Sequence, residues 1–356
     1  IIMKIQNIKL KHFKKFRDQE LDFTDPETGL AESLIVLIGV NGAGKTSILQ
    51  AIASTLGTAT ERLKKPADLD WPGFNYELLG SSWRGSPTNV TINVQFSKSE
   101  LQAISEFHQK LREMGRDLPV SPAQEYLVNL KWQGESVTAN SAAELFQFKG
   151  REYAKQLSRS EGFSVFERVG TVFWYTEQRT ATSLTPEDPK NQLEITEDIL
   201  RDRLAKWQMI HEKYSKNGKS FRPGAKDLYA EIARIYKTVF PGREFAGLEM
   251  RDNIDDILSE PWFYIYNSKN KTHYEFSEMS GGERATFPIL MDLMNWNIHN
   301  SVILIDEIEL HLHPPMQQAL LRTLPKLGKN NQFIITTHSD YVAQLVPESS
   351  IRIIEE

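Results

Sequence analysis

Residues 39–46 read Gly39-Val40-Asn41-Gly42-Ala43-Gly44-Lys45-Thr46, and no other stretch constrains the chain as much. The octet satisfies the phosphate-cradling pattern G-x-x-x-x-G-K-[ST] at every fixed position. Its flanks agree. Ser33-Leu-Ile-Val-Leu-Ile38 is a short apolar, β-branched run, which predicts a buried parallel strand. From Ser47 to Leu56, the residues Ile48, Leu49, Ile52 and Leu56 share one helical face, with Gly57 as the expected stop.

The residue types follow from the chemistry. Without Cβ atoms in the way, backbone N–H groups curl around a phosphate, and the helix N-terminus adds partial positive charge. Gly39, Asn41, Gly42, Ala43, Gly44 and Ser47 are therefore candidate phosphate contacts. Lys45 is placed to reach the β- and γ-phosphates of a nucleotide, and the Thr46 hydroxyl to ligate Mg²⁺.

A chain of 356 residues has room for a large core and for two domains or lobes. Its net charge of -5 restricts any nucleic-acid contact to a local patch. The absence of cysteine excludes disulfide and thiol chemistry and fits a reducing compartment. No apolar run approaches the roughly 18 to 20 residues of a spanning helix, and no signal-peptide core opens the sequence. The expectation is a cytoplasmic protein with no membrane partner.

Residues 1–38 predict a strand pair leading into the phosphate-loop strand, with Ile2, Lys4, Gln6, Ile8 and Leu10 suggesting alternation about one buried face. Lys9, Lys11, Lys14, Lys15 and Arg17, with Phe13 and Phe16 between them, form either a solvated strand and turn or a contact for adenine, ribose or a nucleic-acid backbone. Strands are predicted at 90–96 and 171–175, the latter ending at Thr176-Glu177-Gln178-Arg179. Residues 98–160 read as mostly helical and polar, and 192–240 as helical. No heptad pattern persists long enough for a long coiled coil.

Three further stretches carry chemistry. Ser280-Gly281-Gly282 precedes a helical pattern at Phe287, Leu290, Met291 and Met294, so Ser280 is the expected N-cap of a second anion-suited helix. Val302 to Ile305 is an apolar strand ending in Asp306-Glu307, a carboxylate pair suited to Mg²⁺ and to accepting a proton from an attacking water. Residues 332–337 form another strand, ending at His338, which is placed to hydrogen-bond a γ-phosphate.

The order of these parts resembles the ABC ATPase class: phosphate loop, glutamine loop, Ser-Gly-Gly signature, acid pair, strand-end histidine. Within that class it resembles the Rad50/SMC/RecF/OLD branch. The opening Leu10-Lys-His-Phe-Lys-Lys-Phe16 and the Asn41-Gly42 pair carry that likeness. The segment Ile305-Asp-Glu-Ile-Glu-Leu-His-Leu-His-Pro314 is similar to that of stand-alone AAA15/AAA21 ATPases of the PtuA or AriA kind, which belong to anti-phage systems. The likeness covers residues 1–60, 170–180 and 270–345 and leaves the middle unmatched.

The resemblance implies an α/β fold of the P-loop NTPase type, an ABC ATPase head with a mixed sheet core and a helical lobe. It implies five parts: an N-terminal lobe at 1–97, a helical insertion at 98–170, a glutamine-loop strand at 171–180, a helical lobe at 181–270 and a C-terminal lobe at 271–356. It implies ATP and Mg²⁺, with Gln178 sensing the metal and the attacking water. Gln95 is a rival inside a strand pattern. It further implies Asp306 on Mg²⁺, Glu307 as catalytic base, His338 as switch and Lys14 near the nucleotide. Ser280, Gly281 and Gly282 would cap the ATP held by a second copy, making the active unit a head-to-tail dimer.

The sequence departs from the family pattern at Met279 and Ile308, where Leu and Pro are usual. His338 is followed by 18 residues, without the nuclease domain of OLD enzymes, so a separate effector, a nuclease, is the expected partner. The alternative is a RecF-like repair ATPase that binds DNA junctions. His311 and His313 suggest either a metal pair or interface residues. The basic residues of 201–226 (Arg201, Arg203, Lys206, Lys213, Lys216, Lys219, Arg222 and Lys226) form either a solvated face or a nucleic-acid patch.

Overall fold

The computed structural model describes residues 3–79, 86–177, 197–216, 221, 226–249 and 261–355. The chain begins with β1 (Lys4–Phe13), β2 (Phe16–Asp22), β3 (Leu34–Ile38) and α1 (Lys45–Ala59). β4 (Asn89–Gln95), α2 (Lys98–Glu113), β5 (Leu127–Gln133), β6 (Ser136–Thr138), α3 (Ala142–Phe146), α4 (Gly150–Glu161) and β7 (Val172–Tyr175) follow. Next come α5 (Glu197–Lys216), α6 (Leu228–Val239), β8 (Arg243–Glu249), β9 (Trp262–Asn267) and β10 (Thr272–Glu275). The last elements are α7 (Gly281–Asn295), β11 (Val302–Ile305), α8 (Pro314–Thr323), β12 (Gln332–Thr337), α9 (Asp340–Gln344) and β13 (Ile351–Ile353).

Three sheets organise these elements. The central one is wholly parallel, in the order β13-β3-β12-β11-β7. Its strands are apolar almost without break because both faces are covered. Along β11, Val302 and Leu304 enter one core while Ile303 and Ile305 enter the other. β7 divides the same way, Val172 and Trp174 against Phe173 and Tyr175. The first core joins α1, α2 and α4 to the antiparallel sheet β2-β1-β4-β5-β6. The second joins α5 to α8 and the antiparallel sheet β10-β9-β8.

Four expectations need correction. The sequence predicts residues 127–133 within a mostly helical stretch, but they form β5, with Val128, Leu130 and Trp132 buried at period two among polar residues. The stretch 181–270 likewise contains β8 and β9. On β1, Ile8 and Leu10 are buried as expected, but Ile5 takes the place of Gln6, because the register against β4 shifts between Ile5 and Asn7 and a bulge reverses the alternation there; Phe13 is buried after His12 turns at φ 50°, and Ile2 lies outside the described residues. Finally, α1 runs through Gly57 to Ala59. That glycine serves close packing, since a Cβ would lie 3.0 Å from Leu63 Cδ1 and 3.4 Å from Trp174 Cη2.

The register brings the motifs together. Ile38 pairs with Thr337 and Ile305 with Ile335, so the loops after β3, β11 and β12 leave the sheet side by side. The carboxyl ends of parallel strands are where open α/β sheets bind ligands.

Candidate nucleotide site

The loop after β3 is bent by its glycines. Gly42 and Gly44 have φ of 84° and 96°, the left-handed region that disfavours a Cβ. Gly39 is needed for another reason: a Cβ there would sit 2.4 Å from the carbonyl oxygen of Ile354, just past β13. Asn41 and Gly42 are exposed at the crest, Ala43 is buried, and Ser47 is half-buried on the first turn of α1. Lys45 is buried and arches over its own loop, its Nζ donating to the carbonyls of Gly39 at 2.7 Å and Val40 at 3.0 Å.

Thr46 and Asp306 are 260 residues apart in the chain and meet here. The Thr46 hydroxyl donates to the Asp306 carboxylate at 3.1 and 3.0 Å. Asp306 is 1% exposed and accepts a further hydrogen bond from Thr336 Oγ1 at 2.5 Å. Its own N–H donates to the Tyr175 carbonyl at the end of β7. A hydroxyl and a carboxylate oxygen side by side are hard donors of the kind Mg²⁺ takes from proteins, with phosphates and water completing its shell. Among the described residues no group of three or more His, Cys, Asp or Glu is arranged to hold a metal alone. That disfavours His311 and His313 as a metal pair.

Glu307 is held in a left-handed conformation, φ 46°, and its N–H donates to Thr336 Oγ1 at 2.7 Å. A non-glycine residue with such a φ is sparsely populated and recurs at functional sites. Burial, and then the negative charges of Asp306 and Glu309, push the Glu307 carboxyl above the usual range, against the pull of His338. Such a carboxylate is a better proton acceptor than a free one.

His338 is half-exposed beside them. Its Nδ1 lies 2.9 Å from Glu309 Oε1, and its backbone N–H donates to the same oxygen at 2.8 Å. Glu309 is buried, and among the described residues its second oxygen has no hydrogen-bond partner. Sequence reasoning quoted Glu309 without a role and missed Thr336. The only sequence signal for either was a polar residue inside or just past an apolar strand.

Ser280 is the N-cap of α7, as expected, in a reciprocal capping box with Glu283. Glu283 Oε2 accepts from Ser280 N–H at 2.9 Å and from Ser280 Oγ at 2.7 Å. Its Oε1 accepts from Tyr236 and Tyr274 hydroxyls at 2.5 and 2.6 Å. Gly281 and Gly282 face the loop after the acid pair: a Cβ on Gly282 would lie 3.0 Å from the His311 carbonyl oxygen, and one on Gly281 3.7 Å from His311 Cβ. His311 therefore packs on the signature.

Other predicted residues are placed differently. Lys14 Nζ donates to Gln50 Oε1 at 2.5 Å on α1 and to the Gly73 carbonyl at 2.8 Å. It is the neighbouring Lys15 whose Nζ reaches the phosphate loop, donating to the Gly42 carbonyl at 3.0 Å. Gln178 lies outside the described residues. Gln95 is buried in β4 and accepts from Gln6 Nε2 at 2.6 Å. In the basic stretch 201–226, Arg201 pairs with Glu275, Arg203 with Asp292, Lys206 with Asp202, Lys216 with Glu212 and Lys226 with Glu167. Lys219 and Arg222 lie outside the described residues. Charges neutralised by their own chain weigh against a nucleic-acid patch and for an internally paired face.

Comparison with known proteins bears on the family and the fold. The chain is 22% identical to the retron Vc95 probable ATPase of Vibrio cholerae serotype O1 biovar El Tor over 99% of its own length and 74% of that protein. It is 23% identical to the Septu protein PtuA of Bacillus mycoides (strain KBAB4), over 94% of this chain and 38% of PtuA. Among solved structures, an Smc head bound to the C-terminal winged-helix domain of ScpA superposes with a TM-score of 0.52 and 15% identity, covering 96% of this chain and 91% of that one, which shows a shared fold. A family model matches residues 34–343, from the first residue of β3 into α9, and the chain therefore belongs to the ATPase family described as "AAA domain, putative AbiEii toxin, Type IV TA system".

Proposed function

We propose that this chain is the ATP-hydrolysing subunit of a multi-protein anti-phage defence complex, in which ATP joins two copies head to tail and the dimer controls a separate effector, a nuclease. The observation that carries the reading is the Thr46–Asp306–Thr336–Glu307 frame at the ends of three adjacent strands. The relatives, a retron ATPase and a Septu protein, supply the defence context.

In this reading the loop from Gly39 to Ser47 and the Lys45 ammonium hold the β- and γ-phosphates. Thr46 and Asp306 hold Mg²⁺, which offsets phosphate charge when bound. Gln178 orients the attacking water, and Glu307 accepts its proton. Glu309 sets the orientation of the His338 ring, which donates toward the γ-phosphate. Ser280, Gly281 and Gly282 present the N-terminus of α7 to the γ-phosphate of ATP on the other copy. Hydrolysis transfers the γ-phosphoryl group to water; when the inorganic phosphate leaves, the charge that both helix N-termini attract is gone and the contact loosens.

The test is to tag the Glu307→Gln variant, purify it from its native host with and without ATP, and weigh the complexes by native mass spectrometry. A co-purifying nuclease supports the defence role. A bare dimer, or one carrying recombination proteins, moves the assignment to a RecF-like repair ATPase.

A further inference from the structure

A second pocket, with a largely apolar wall into which a few donors project, lies away from the nucleotide site. Residues 60–62 line it where α1 has ended, and the 15 residues of α1 set it about 22 Å from the phosphate loop. Arg62 and Arg151 both border this cavity of about 90 Å³. A water needs roughly 10–15 Å³ measured this way, so the space admits several waters or one tetrahedral oxyanion.

The walls supply donors. The Arg62 guanidinium lies over the Phe173 ring at 4.7 Å, and that of Arg151 over Phe166 at 4.1 Å. Arg151 is fixed from behind by the carbonyls of Trp296 and Asn297. Burial and then the Arg62 charge push Arg151 down to about 9, so two like charges are held near each other, with the Asp292 carboxylate acting on Arg62 from the far side of the wall. Thr171 is fully buried, and among the described residues its hydroxyl has no hydrogen-bond partner. The Trp296 indole N–H is likewise buried without one. Both residues line the cavity. Buried polar groups are rarely left unpaired, and those that are call for an explanation. Glu61 and Glu152 also border the space with Lys155, and Glu61 is bound by Lys149 at 2.5 Å. Cations outnumber anions on the wall.

The geometry points to a binding pocket for a small oxyanion of the phosphate class, clasped by Arg62 and Arg151, with Thr171 Oγ1 and Trp296 Nε1 donating to it. Guanidinium forks match phosphate oxygens in pairs. Four donor groups suit a tetrahedral oxyanion with several terminal oxygens better than a carboxylate with two. The rings of Phe166 and Phe173 leave an apolar wall for whatever the phosphate is attached to. An occupant would also touch Thr60 and Glu61, next to the end of the helix that carries Lys45 and Thr46 at its start.

The test is calorimetric titration of inorganic phosphate into the full chain carrying Lys45→Ala, which removes the phosphate loop as a competing site. Saturable binding is expected. Adding Thr171→Val, which keeps the side chain's shape, weakens it about tenfold, the equivalent of one hydrogen bond to a charged group. Adding Arg151→Gln weakens it further. Acetate, titrated alongside, binds at least tenfold more weakly than phosphate. No phosphate binding in the Lys45→Ala chain, or unchanged affinity with Thr171→Val, overturns the pocket; equal binding of acetate overturns the phosphate assignment.

Discussion

The Glu283 carboxylate offers the sharpest energetic prediction, because four donors converge on a group that is 1% exposed. In Glu283→Gln one oxygen becomes an amide NH₂. If it faces Ser280, it meets a backbone N–H that cannot turn away. On the other side the hydroxyls of Tyr236 and Tyr274 can rotate to accept, and the Arg243 guanidinium, 3.6 Å from that oxygen, loses its charge partner. All four bonds lose charge assistance, worth about 1 kcal/mol each. Relief from burying a charge returns part of that, which leaves a net loss of about 2–3 kcal/mol. Burial alone would raise the Glu283 carboxyl, yet the hydroxyls of Tyr236, Tyr274 and Ser280 hold it below the usual glutamate value. A depressed carboxylate contributes stability that is present above the unfolded-chain value and lost as pH falls through the native one. Urea unfolding at pH 7 should show the full gap between parent and variant, and the gap should close as pH falls below the ordinary glutamate range. Equal midpoints at pH 7, or a gap that does not change with pH, would refute the reasoning.

Other expectations follow from the same contacts. Glu309→Gln removes the carboxylate that orients His338 and should lower ATP turnover about tenfold with little change in KM, as steady-state assays will read. The raised Glu307 carboxyl places the acid limb of the turnover–pH profile above the ordinary glutamate value, since the base must be ionised. Removing the Glu309 charge should move that limb to lower pH. Gly39→Ala forces a Cβ against the Ile354 carbonyl and should cost about 1–3 kcal/mol of stability along with ATP affinity, measured by thermal unfolding and nucleotide titration.

Much of the central sheet was legible because its strands carry local signals. Ser33–Ile38, Val302–Ile305 and Gln332–Thr337 are apolar runs long enough for one buried strand each, and each ends in a chemically distinctive residue. The Ser280 cap was legible for a similar reason, since a capping box lies within four residues. What escaped depends on register. Thr336 joins Asp306 to Glu307 only because β12 lies beside β11, a fact that no local pattern contains. Tyr236 and Tyr274 reach Glu283 from a helix and a strand that pattern reading did not bring together. Lys15, rather than Lys14, contacts the phosphate loop because the turn between β1 and β2 places Lys14 at φ 49° and directs it toward Gln50. β5 carries its own alternation, Val128, Leu130 and Trp132 against Asn129 and Lys131, but the run is short and sits between segments whose polar pattern reads as helical.

The claim that ATP joins two copies through the α7 N-terminus is tested most directly by native mass spectrometry of purified Glu307→Gln with MgATP. The account predicts a dimer carrying two ATP molecules, and a monomer with one ATP when Ser280→Arg is added. A dimer that persists in the Ser280→Arg double variant, or forms equally without ATP, would contradict it.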